Sequence, residues 1–197
     1  MSDVSPAFAN SREDALHACL TRLSAGSEDA LAEIYDHTSS LVYSIALGML
    51  SDRADAEEVT LDVYSQIWRG ASSFRAERGT VIGWLIMVTR SRAIDRLRAR
   101  RHRSSEAEVD ALQDKPAATP TPEESTIAGE QQRRVRAALA VLPDSQRQLI
   151  ELAWYGGYSH SELAGKMGLP LGTVKTRLRM ALARLRQLLG PVGGQAQ

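Results

Sequence analysis

The sequence predicts an all-α protein of two small helical domains joined by a flexible, acidic, proline-containing linker. Three observations carry that reading. Ala, Leu and Arg are abundant while the 197 residues hold only two Phe and one Asn, so strong helix formers outweigh the aromatic and β-branched residues that strands favour. Apolar residues recur at helical rather than alternating spacing. Residues 104–125, SSEAEVDALQDKPAATPTPEES, combine three prolines and an acidic bias with few large apolar side chains, a composition that cannot bury enough surface to offset the entropy of ordering. A flexible coil of ~20 residues spans about 25 Å, so the flanking domains need not touch. Residues 104–128 therefore read as linker, 14–103 and 129–190 as domains, and 1–13 and 191–197 as flexible tails.

In the first domain, apolar residues at 31, 34, 35, 41, 42, 45, 46, 49 and 50 predict a helix over 29–50. Ser51, Asp52 and Arg53 break it. A second helix over 54–69 carries a stripe of Val59, Val63 and Ile67, widened by Leu61, Tyr64 and Trp68, with Glu58, Asp62 and Gln66 on the opposite face. Asp55, Glu57 and Glu58 crowd its first turn, where the positive end of the helix dipole favours acids. Residues 71–80, bordered by Gly70 and Gly79, read as a loop. From Val81 a buried apolar helix continues into SRAIDRLRARRHR, where Ile94 and Leu97 keep the seam while Arg92, Arg96, Arg100 and Arg103 recur near i, i+4 spacing. Asp95 is the only acid between Arg78 and Glu106, so the row lacks local counter-charges and an external anion is expected beside it.

The second domain opens with an amphipathic helix over 130–142, bearing Val135, Ala138, Leu139 and Leu142 on one side and ended by Pro143. Asp144 is expected to cap a helix over 145–154, which Gly156 and Gly157 stop. Ser159 and Glu162 then form an S-x-x-E capping box opening a short helix through Met167. Gly168, Leu169 and Pro170 make a tight turn before a longer helix from about 171–172 to 189. Val174, Leu178, Leu182, Leu185 and Leu189 are expected to face inward, with Thr173, Thr176, Arg177 and Met180 opposite. This is a helix-turn-helix. Its final helix presents a short-polar, basic N-terminal end that fits a major groove, where Arg reads guanine and Thr meets thymine methyls. From Leu163 to the C-terminus there is no acidic residue, as a surface approaching phosphate requires.

The net charge of zero is a cancellation. Residues 1–72 carry 12 acids and 4 bases; 73–103 carry 2 and 9; 104–128 carry 6 and 1; 129–197 carry 4 and 10. Two basic blocks thus alternate with two acidic ones, as expected if two surfaces meet a polyanion. The longest apolar run, 81–88, falls far short of the roughly 20 residues of a membrane span. The acidic N-terminus has no signal-peptide pattern, and the single Cys19 suits a reducing cytoplasm. His17, His37, His102 and His160 sit in different elements, so neither a metal site nor an enzyme is expected. The rival is a stand-alone repressor or activator that binds DNA through its second domain. A second nucleic-acid face in the first domain argues against it.

The stretches DAEEVTLDVYSQIWR (55–69), GWLIMVTRSRAIDRLRARR (83–101) and LPDSQRQLIELAWYGGYSHSELAGKMGLPLGTVKTRLRMALARLR (142–186) resemble, in order, bacterial RNA polymerase sigma factors of the extracytoplasmic-function class of the sigma-70 family. The likeness covers most of 29–189. It implies that the first domain corresponds to the family's region 2, with Asp55, Glu58, Leu61, Asp62, Val63, Tyr64, Gln66 and Trp68 docking on the β′ clamp helices of core RNA polymerase. It further implies that the loop 74–81 and the helix after it take the non-template strand of the −10 element and capture an unstacked base. Phe74, Arg75, Trp84, Arg90, Arg92, Arg96, Arg98 and Arg100 would make those contacts. The second domain would be region 4, meeting the β flap and reading the −35 duplex with Leu171, Gly172, Thr173, Lys175, Thr176, Arg177, Arg179 and Arg184. The linker would thread toward the RNA exit path, and an anti-sigma factor would hold the whole. No cofactor is implied. The long N-terminal region and third domain of housekeeping members are not expected here, and with few aromatics in the strand-contacting block the protein is expected to melt DNA weakly and choose promoters strictly.

Overall fold

A computed structural model describes residues 6–106 and 126–190. Every regular element among them is helical, and they form two compact units. The first unit holds α1 (Pro6–Ser24), α2 (Glu28–Leu50), α3 (Arg53–Gly70) and α4 (Val81–Glu106). The second holds α5 (Thr126–Ala140), α6 (Asp144–Trp154), α7 (His160–Met167) and α8 (Leu171–Leu189). The all-α expectation holds.

Helix α1 overlaps the flexible tail expected over 1–13 and fills part of 14–28, to which the sequence reading assigned no element. Leu16, Cys19, Leu20 and Leu23, at i, i+3, i+4 and i+7, are all buried. They dock on a core built by Ile34 and Val42 of α2, Val63 and Ile67 of α3, and Val81 and Leu85 of α4. Helix α2 ends where Ser51 turns into the left-handed region at φ 53°, its N–H bonding Leu47 O. Asp52 then caps α3, its side chain accepting from Asp55 N at 2.9 Å. Inside the bundle, Thr38 of α2 and Tyr64 of α3 share a 2.8 Å hydrogen bond. Burial pushes the Tyr64 hydroxyl up to about 12.

The loop between α3 and α4 is shaped by two short 3-10 turns, Ala71–Ser73 and Ala76–Arg78. Helix α4 takes in residues 104–106 and α5 takes in 126–128, both assigned to the linker from sequence. The rest of the expected linker, 107–125, and the expected tail 191–197 lie outside the described residues.

In the second unit Leu142, Leu149, Ile150, Leu163, Val174, Leu178 and Ala181 make one apolar core. Two expectations are corrected. Asp144 does not cap α6 but pairs with Arg147 at 2.5 Å, while Pro143 O accepts the N–H groups of Gln146 and Arg147. Leu182 faces solvent at 49% exposure, and Ala181 takes the inward position. The stripe therefore advances by three residues after Leu178, within the i+3, i+4 alternation of a 3.6-residue turn.

Candidate nucleic-acid interface

The helix-turn-helix forms as its local signals dictate. Glu162 N donates to Ser159 Oγ at 3.3 Å and Ser159 N donates to Glu162 Oε2 at 2.6 Å, completing the capping box. Gly168 stands at φ +62°, a left-handed position that glycine adopts without steric cost, and Leu169 N returns to Ala164 O at 3.0 Å. Before α7, Gly156 allows a close passage: a Cβ there would lie 2.7 Å from Leu152 O and 2.8 Å from the Tyr158 ring. These turns seat α8 on α6 and α7 through Val174, Leu178 and Ala181.

The other side of α8 is open. Leu171 is 41% exposed, Gly172, Lys175, Thr176, Arg179 and Arg184 are exposed, and Thr173 and Arg177 are half-buried beside them. None of the four cations meets an acidic side chain among the described residues. Pro170 O accepts from Thr173 N and Val174 N, leaving the first N–H groups of the helix pointing outward with its positive dipole end. A convex, cationic helix with short side chains at its tip matches a phosphate-lined groove.

Helix α4 differs. Arg96 lies between two acids of α3: its Nε and Nη2 donate to Asp55 Oδ1 at 2.8 and 2.6 Å, and Nη2 meets Glu58 Oε2 at 2.5 Å. Arg100 Nη2 stands 2.5 Å from Asp55 Oδ2, as a charge contact rather than an aligned hydrogen bond, and 3.3 Å from Asp52 Oδ2. Arg92 Nε donates to Gln66 Oε1 at 2.8 Å. The expectation that this row lacks internal counter-charges is therefore corrected for Arg96 and Arg100, while Arg92 meets an amide and the Arg103 side chain lies outside the described residues. Acids at the start of α3 supply them, and the Asp55 hydrogen bonds hold the Arg96 guanidinium above its ordinary pKa. Arg98 is exposed, whereas Arg90 is half-buried and burial lowers its pKa.

The same geometry sorts the residues expected to dock on polymerase. Asp55, Val63 and Tyr64 are 7%, 0% and 6% exposed and belong to the interior, so they are corrected from surface contacts to structural ones. Glu58 is exposed but engaged by Arg96, and Gln66 is half-buried against Arg92. Leu61 at 66%, Trp68 at 40% and the exposed Asp62 form the outer face of α3.

In the loop, Phe74 packs against Trp84 at a ring-centroid distance of 5.7 Å and against His17 of α1 at 5.9 Å. Arg75 turns back on its own loop, its Nη1 donating to Ser72 O at 2.7 Å and Phe74 O at 2.8 Å. A cleft of about 350 Å³ opens between this loop and α1, lined by His17, Thr21, Ser24, Phe74, Arg75 and Glu77 among others. The part played by α1 escaped the sequence reading. The i, i+3, i+4, i+7 spacing at Leu16, Cys19, Leu20 and Leu23 was the signal that could have found it.

Comparison with known proteins follows this division. Residues 34–103 match the family model described as Sigma-70 region 2, and residues 138–187 match Sigma-70, region 4. The chain is 40% identical over 184 residues to the ECF RNA polymerase sigma factor SigK of Mycobacterium ulcerans, covering 90% of this chain and 95% of that protein. It is 39% identical over 180 residues to SigK of Mycobacterium tuberculosis H37Rv, covering 88% and 93%. Among solved structures, Rhodobacter sphaeroides SigE in complex with the anti-sigma ChrR is 30% identical, with 89% of this chain and 98% of that one covered. The TM-score of that match is 0.42.

Proposed function

The chain belongs to the sigma-70 family as an alternative sigma factor of the extracytoplasmic-function class, and from that premise we propose that it reads promoters at two points. Region 4 takes the −35 duplex. Leu171, Gly172, Thr173, Thr176 and Arg177 meet base edges from the tip of α8, while Lys175, Arg179 and Arg184 meet phosphates. Region 2 has two surfaces. Leu61, Asp62 and Trp68 on the outer face of α3 dock on the β′ clamp helices. The loop 74–81 with Phe74 and Arg75, and the helix after it with Trp84, Arg90 and Arg98, take the −10 strand by stacking and charge. Arg92, Arg96 and Arg100 hold the frame of that surface, and Asp55, Val63 and Tyr64 hold the helix that carries the clamp contact.

The carrying observation is the presence of region 2 and region 4, in that order, on one chain. Two modest contacts joined by the segment over 104–128 gain avidity only at the correct promoter spacing. Region 4 also meets the β flap, and an anti-sigma factor holds the free protein, as class membership implies. The chain works as an initiation factor in the cytoplasm rather than as an enzyme. Among the described residues no helix is long and apolar enough to cross a membrane.

The test is to add the purified chain to core polymerase and measure promoter-dependent transcription. The expected result is initiation only where both elements are present. Tight binding to duplex promoter DNA by the chain alone, with no direction of polymerase, would favour the repressor reading instead. Asp62→Arg is expected to lower polymerase binding while leaving duplex binding intact, and equal loss in both would mean unfolding.

A further inference from the structure

Helix α1 lies before the region 2 match, which begins at residue 34, yet three of its contacts fall on the −10 loop and the helix that follows. The Glu13 carboxylate accepts from Val81 N and, at 3.5 Å, from Ile82 N. These are two of the N–H groups that a helix start leaves without intrahelical partners, and the acid sits at the positive end of the α4 dipole. The remaining cap is local, with Gly83 N donating to Thr80 Oγ1 at 3.0 Å. His17, one turn along α1, sets its ring edge-on to Phe74, and Phe74 in turn leans on Trp84. Thr21 and Ser24 extend the α1 side of the cleft whose other wall is the loop itself. Leu16, Leu20 and Leu23 fasten α1 to the core, so all these contacts hang from a rigid support.

A loop selects between bases only if its shape is set before the base arrives. Otherwise each base draws out its own conformation and the differences in affinity shrink. Most residues of 71–80 are exposed, and their own bonds are short-range turns. We infer that α1 is the positioning element for −10 base selection, with Glu13 fixing the start of α4 and His17 fixing Phe74. This rests on the reading of 74–81 as the −10 loop. Glu13 and His17 are positioning residues, separated by 68 and 57 positions from the groups they hold.

The experiment uses the full chain with core polymerase and four promoters differing only in the base at the unpaired −10 position. Glu13→Ala, which removes a helix cap, and His17→Ala, which removes a ring contact, are each expected to cut the ratio of preferred to disfavoured promoter output roughly five-fold. Glu13→Gln, whose amide oxygen still accepts, should keep the ratio within about two-fold. Thr38→Val, which removes the Thr38–Tyr64 bond away from the loop, controls for general loss of stability and should leave the ratio unchanged. Equal loss on all four promoters for Glu13→Ala, or a flattened ratio in Thr38→Val, overturns the inference. If Phe74→Ala flattens the ratio while Glu13→Ala and His17→Ala do not, the inference alone falls. If Phe74→Ala leaves the ratio intact, the loop is not the reader and both readings fall.

Discussion

Lys175, Arg177, Arg179 and Arg184 on α8 face no carboxylate among the described residues, whereas Arg96 and Arg100 on α4 are clasped by Asp52, Asp55 and Glu58 of the neighbouring helix. In sequence both helices read as an apolar stripe beside a row of bases. The fold leaves one row without carboxylate partners among the described residues and turns Arg96 and Arg100 of the other into a brace between α3 and α4. A count of charges along a chain measures how much cation is present, not how much is available. Availability is decided by which element packs alongside.

Breaking the brace has the largest expected effect. Asp55→Ala would leave Arg96 and Arg100 without their buried partner, and removing one side of a buried pair costs about 3–5 kcal/mol. The guanidinium groups are about a third exposed, so a loss of about 2–3 kcal/mol is expected by urea unfolding. Arg179→Ala on α8 should shift the same measurement by less than about 0.5 kcal/mol. Matching losses would erase the distinction. Next in size, Arg177→Ala is expected to weaken −35 duplex binding by about 1–3 kcal/mol, roughly 5- to 150-fold, and to relax one base position without loss of fold.

Salt dependence sharpens the comparison further. In the holoenzyme, Lys175→Ala should reduce the slope of log affinity against log salt by about 1, one duplex phosphate contact. Arg98→Ala should reduce it by about 0.7, one single-strand contact. Arg96→Gln, measured where the variant is folded, should leave the slope unchanged, and a fall would put Arg96 on the strand. The smallest effect concerns acid. The Asp55 N–H, with Arg100 adding charge, holds the Asp52 carboxyl below its ordinary value. A lowered folded pKa means that its contribution is present above about pH 4 and is lost as pH falls through the folded value. Thermal midpoints of the wild-type chain and Asp52→Asn should therefore differ near pH 6 and converge toward pH 3.

How much was legible in the sequence follows the range of the interactions. The second unit announced itself through signals within four residues of one another: Ser159 with Glu162, the turn at Gly168, the stripe at Val174 and Leu178. The arginine brace was hidden because Arg96 lies 41 positions from Asp55 and 38 from Glu58, so only the packing of α3 on α4 brings them together. Helix α1 was missed although Leu16, Cys19, Leu20 and Leu23 repeat at helical spacing, because the stretch before them reads as a polar, acidic leader. Leu182 was misplaced because i+3 and i+4 continue an amphipathic stripe equally well, and the small Ala181 fits the close approach that Leu cannot.

The register of α8 has a consequence for how such a protein diverges. Its inward residues, Val174, Leu178 and Ala181, share no position with Thr173, Thr176, Arg177 or Met180 on the other side. If its outer face reads bases as proposed, the exposed Thr176 and Met180 can be exchanged while the attachment of the helix to the scaffold stays intact. Gly156, where even a methyl group would collide with Leu152 and Tyr158, lies outside that freedom.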